Sequence, residues 1–127
     1  MSVVYAPISI GELLDKLTIL EIKKEQLKDP NRLKNVLTEE DELRKLLAHI
    51  NIPDLDTFFK ELKEVNYQIW DSENVVRILD KENRLDQTFI DEAIKIRHYN
   101  DRRSVIKHTL NLKVNSKIIE EKSFFEK

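Results

Sequence analysis

Four runs of apolar residues recur at spacings of three and four along nearly the whole chain, the period of an amphipathic helix that buries one face. The first run carries Leu13, Leu14, Leu17, Leu20 and Leu27, and the second Leu33, Val36, Leu37, Leu43, Leu46, Leu47 and Ile50. The third holds Leu55, Phe58, Phe59, Leu62, Val65, Ile69, Trp70, Val76 and Leu79, and the fourth Phe89, Ala93, Ile96, Ile106, Leu110 and Val114. One glycine and three prolines leave little material for the tight turns of an all-β fold. The expected fold is all-α: a single helical domain over residues 1–127, an antiparallel up-down four-helix bundle with a docked C-terminal tail.

Local signals mark the joints. Ser9 and Glu12 have the spacing of a capping box, and Asp29-Pro30 reads as an N-cap followed by proline at the first helical position. The second helix is expected to run to about His49, before a loop over 51–54 around Pro53. A third helix starts near Asp54 to Asp56, and its end is soft because the charged stretch 80–86 lacks glycine. The fourth begins near Asp86 or Thr88. The closing KIIEEKSFFEK holds Ile118, Ile119, Phe124 and Phe125, too many bulky apolar groups for a solvated tail, so docking is expected.

A net charge of -2 supplies no global field for nucleic acid or membrane. The absence of cysteine removes disulfides, thiolate metal sites and thiol catalysis. No window is apolar enough to span a bilayer, and the N-terminus lacks a basic region followed by a long apolar run, so a cytoplasmic location is expected.

Charged and amide residues interrupt every stripe, where burial penalises an unpaired charge. Glu21 falls at the angle of Leu14 and Leu17, while Glu12, Lys16 and Lys23 fall on the outer side. Glu40 occupies a stripe position on the second helix; Asn66 and Glu73, with Arg77 one turn beyond, do so on the third. Asn100, Arg103, Lys107 and Asn111 follow one another on the fourth. Carboxylates on three helices thus oppose cations and amides on the last. The pattern fits either a neutralised network that fixes helix register or an inter-helix pocket for a small polar or anionic ligand. The candidate ligand-binding residues are Glu21, Asn66, Glu73, Arg77, Asn100, Arg103 and Lys107, expected to couple Glu21 and Glu73 to Arg103 and Lys107.

The strings PISIGELLDKLTILEIK, EVNYQIWD, FIDEAIKIRHYNDRR and IIEEKSFFEK resemble an uncharacterised all-α family of bacteria and phages, over essentially the whole chain. Residues matching that pattern include Glu12, Asp15, Thr18, Glu21, Asn66, Trp70, Glu73, Arg77, Asn100, Arg103, Lys107 and Glu120. The resemblance implies no reaction; it implies a context beside glycosyltransferases and tetratricopeptide proteins. Asn115-Ser116 stands where the pattern often has Gly-Ser, which bears on how the tail turns. A Lys-, Ile- and Asn-rich composition is compatible with a marine bacterium or its phage.

Enzyme readings find little purchase. Glu12 and Asp15 have the Glu-x-x-Asp spacing with which helical nucleotide pyrophosphohydrolases hold Mg²⁺, but the pair is expected on the outer face and no well-phased second pair accompanies it. None of His49, His98 and His108 follows a glutamate by three residues, as a di-iron bundle requires, and no metal site is expected. One glycine cannot build a P-loop or a dinucleotide turn. Arg97, Arg102 and Lys113 make the fourth helix basic, yet aromatic stacking partners are few, so nucleic acid is not an expected partner. Trp70 and the phenylalanines read as core residues. The reading is a non-enzymatic accessory or interaction module, its cofactors unassigned, with a small-molecule-binding or metal-dependent enzyme as the alternative. Ile19 and Ile22 lie off the main stripe of the first helix, which predicts a second buried face and a homodimer; a protein partner is the other possibility.

Overall fold

The computed structural model describes residues 2–122, and the expected docking of Phe124 and Phe125 lies outside the described residues. Four helices follow in order: α1 (Ile10–Gln26), α2 (Pro30–Leu47), α3 (Leu55–Lys81) and α4 (Gln87–Lys113). They form an all-α bundle, and cross-helix pairs give its directions. Glu21 and Lys24 meet Arg44 and Glu40, so α1 and α2 are antiparallel. Asp15 meets Arg103 and Glu12 meets Lys107, so α1 and α4 are antiparallel as well. No helix is long and apolar enough to cross a membrane among the described residues.

The bundle is not evenly built. α1 packs against all three other helices, whereas α2 packs only on α1 and the most extensive pairing is α3 with α4. From Ile8 to Lys24 no residue is exposed. The expected outer side of α1 is only half-exposed, with Glu12, Lys16 and Lys23 partly covered, and Asp15 and Thr18 are as fully buried as Leu14 and Leu17. Ile22 is buried by the chain's own helices and Ile19 is half-buried, so much of the second face that suggested a dimer is covered within one copy. Leu37 and Leu46 of the α2 stripe are exposed for the converse reason, since α2 has one neighbour and needs only a narrow apolar seam. The core cluster joins Leu14 to Phe58, Leu62, Val65, Ile106 and Leu110, closed at one end by Ile52.

The joints follow their local chemistry. Ser9 Oγ accepts from the Glu12 N–H at 3.0 Å, Asp29 accepts from the Asn31 N–H at 2.9 Å, and Asp86 accepts from the Phe89 N–H at 3.3 Å. With its glycine used elsewhere, the chain turns through Asp54, Asn83 and Asn115 in the left-handed region, where short side chains that bond locally are tolerated. Asn83 and Asn115 stop α3 and α4: the next N–H returns to the carbonyl five residues back, Arg84 to Leu79 and Ser116 to Asn111, each at 2.8 Å. The tail after Asn115 thus turns as a glycine would turn it.

Gly11 faces α4 at close range. A Cβ there would stand 2.8 Å from the Lys107 carbonyl oxygen and 2.9 Å from Asn111 Oδ1. Gly11→Ala is expected to destabilise the protein by about 1–3 kcal/mol through overpacking, despite alanine's better helix propensity. Urea unfolding followed by circular dichroism measures it, and an unchanged midpoint would show that α1 and α4 part freely.

Candidate functional site

The polar centre of the bundle is organised around Asp15. Its Oδ1 accepts from Asn66 Nδ2 and from Arg103 Nε, each at 2.9 Å, and Oδ2 accepts from Arg103 Nη2, a bidentate fork. Asn66 Nδ2 also reaches Thr18 Oγ1 at 2.8 Å, and that hydroxyl donates to the Asp15 carbonyl at 2.7 Å. Arg103 Nη1 points to Asn100 Oδ1 at 3.5 Å. Asp15 and Thr18 have no exposed surface, and Asn66 is buried. The Arg103 guanidinium is held above its already high range by the Asp15 carboxylate, against the opposing effect of burial.

A second polar set closes the N-terminus of α1, whose first N–H groups have no partner within the helix. Besides Ser9 on Glu12, Ser116 Oγ takes the Ile10 N–H at 3.2 Å and Asn111 Oδ1 takes that of Gly11 at 2.6 Å. Glu120 ties this set together. Its Oε1 accepts from Ser9 Oγ at 2.6 Å and its Oε2 from Asn111 Nδ2 at 3.2 Å, at the positive end of the helix dipole. Burial pushes the Glu120 carboxyl up, but Ser9, the backbone, Lys107 and Asn111 together outweigh it and hold it below the usual carboxylate range. The described part of the tail is therefore docked, and by polar contacts more than by its apolar residues: Ile118 remains exposed.

The seven residues nominated from sequence divide four ways. Arg103, Asn66 and Asn100 meet in the centre. Lys107 is one turn away, paired with Glu12. Glu21 lies on the α1–α2 side, where it forms a cluster with Lys24, Arg44 and the buried Glu40. Glu73 and Arg77 sit on α3 and, with Asn66 and Arg103, line a groove of about 370 Å³ between α1 and α3. The expected coupling of Glu21 and Glu73 to Arg103 and Lys107 is thus corrected: the carboxylates that serve those cations are Asp15 and Glu12. The assignment failed because it placed Glu12 and Asp15 on a solvent face, whereas α4 packs over that side of α1 and pairs both carboxylates. One signal did point to Asp15, Thr18 and Glu120, since all three match the motifs quoted above. Among the described residues no three of His, Asp and Glu gather as ligands for a cation.

Removing Arg103 leaves Asp15 buried and short of its partner, so Arg103→Met is expected to cost about 3–5 kcal/mol. Adding Asp15→Leu to it should recover part of that loss, giving a coupling that chemical denaturation of the four-member cycle measures. Strict additivity would show that the pair is not one unit. For Glu120 the folded carboxyl titrates below its unfolded counterpart, so its contribution is present above about pH 4.3 and is lost as pH falls through the depressed folded value. Thermal melts from pH 7 to pH 3 should therefore show Glu120→Gln less stable than the parent near neutrality and converging with it in acid. A constant difference across that range would assign the loss to packing.

Residues 4–126 match the model of a family described as a family of unknown function, DUF6165. No curated protein and no solved structure matches the chain.

Proposed function

We propose, for a chain that belongs to the DUF6165 family of unknown function, the role of a non-enzymatic interaction module. One observation carries the reading. The carboxylate best placed for chemistry, Asp15, is fully committed: it accepts three hydrogen bonds and has no exposed surface. A general base or a Mg²⁺ ligand needs a free lone pair facing the substrate. Glu12, its partner in the Glu-x-x-Asp spacing, is likewise taken by Lys107. The polar centre acts as a rivet.

What the module offers a partner is the far end of the α3–α4 hairpin. Of residues 78–95 only Leu79 is buried, and Ile78, Leu85, Ile90 and Ile94 are exposed. Two helices alone bury little, so association with a second copy, completing a four-helix arrangement, is the favoured use of this arm. The resemblance of the quoted motifs favours a bacterium or its phage and an accessory role in surface-polysaccharide work. A small-molecule site is the second reading, favoured by the groove that Asn66, Glu73, Arg77 and Arg103 share.

Two measurements test the module. Incubation with nucleoside triphosphates and Mg²⁺ should release no pyrophosphate above buffer; release that disappears in Asp15→Asn would overturn the reading. Light scattering during size exclusion at micromolar concentration should give a dimer, and the monomer mass of 15.1 kDa would refute self-association.

A further inference from the structure

We propose that the groove between α1 and α3 binds a small zwitterion with an apolar body, of the class of an α-amino acid with a large aliphatic or aromatic side chain. This goes beyond the module reading and does not depend on it. The groove's volume of about 370 Å³ suits one such molecule. Its walls divide by chemistry. Ile19 and Ile22 of α1 face Ile69 and Trp70 of α3 and form an apolar side. Asn66 and Arg103 form the inner polar side, and Glu73 and Arg77 stand on the rim.

The rim residues select the ligand. Glu73 and Arg77 are one helical turn apart, in the order at which an acid and a base ordinarily link. The ion pairs beside them join Arg103 to Asp15 and Lys107 to Glu12, whereas Glu73 and Arg77 enter none among the described residues. The groove thus presents one carboxylate and one guanidinium, each without an ion-pair partner among the described residues. Arg103 adds direction rather than charge, because Asp15 neutralises it from behind. A guanidinium has five N–H groups; two of Arg103's go to Asp15 and one to Asn100, which leaves two for a ligand carboxylate. The lining is therefore neutral overall while carrying both signs, an arrangement that favours a zwitterion over an anion or a cation. The ammonium goes to Glu73, the carboxylate to Arg77 and the outer edge of Arg103, and the side chain to the isoleucines and Trp70.

Isothermal titration with L-leucine, L-tryptophan, glycine, indole-3-propionate and tryptamine tests each part. Saturable binding of leucine or tryptophan is expected, with glycine weaker by about tenfold or more through lost apolar burial and the two single-charge analogues weaker by about tenfold or more through a lost hydrogen bond to a charged group. Glu73→Gln should remove the preference for tryptophan over indole-3-propionate while leaving the thermal melt unchanged, since Glu73 supports no other group. No saturable binding of either amino acid up to about 10 mM, beyond the weakest useful affinity, would overturn the proposal. Equal binding of indole-3-propionate and tryptophan would also overturn it, by showing an anion site.

Discussion

Asp15 has no exposed surface and sits on a helix covered along its whole middle, a place where a carboxylate survives only if another element brings its counter-charge. Arg103 brings it from α4 in a two-pronged geometry, and Asn66 adds a third bond from α3. Because a fork to a carboxylate tolerates little rotation, that contact sets the turn of α1 about its axis and its height against both neighbours. The other contacts between α1 and α4 keep the same step. Gly11 meets Asn111, Glu12 meets Lys107 and Asp15 meets Arg103, an antiparallel ladder climbing one helix and descending the other. Gly11 lets the backbones approach closely enough for the ladder to form.

The same approach settles the end of α1. Its free N–H groups are met by Asn111 and by Ser116, just past the turn at Asn115, so ending α4 and capping α1 are one event in space. Glu120 then bridges Ser9 and Asn111. The described tail is an extension of the polar framework, which explains why residues so far apart in the chain share one small region.

A central helix of this kind changes what the rest of the molecule must do. With α1 surrounded, α2 needs only a narrow seam, and the distal half of the α3–α4 hairpin is left to its own two helices. Surface suited to binding therefore lies where α1 ends: in the groove beside Arg103 and Trp70 and along the exposed arm. The paired carboxylates that invite a metal reading from sequence are each held by a cation from α4.

Helix number, order and joints were legible from the chain because they rest on neighbours: apolar residues three and four apart, Ser9, Asp29 and Asp86 as caps, proline at the start of α2. That Asn66 and Arg103 need interior partners was legible too, since a polar group in an apolar stripe demands one wherever it is found. Which partner was not. Phase analysis assumes one buried and one solvated face, and it put Asp15 and Glu12 outside and joined Glu21 to a centre it does not reach. Only the tertiary structure decided that α1 is enclosed, and so which carboxylate meets which cation. Those contacts join residues 88 and 95 positions apart, and they follow from the rotation and depth at which helices pack, quantities that no local spacing contains.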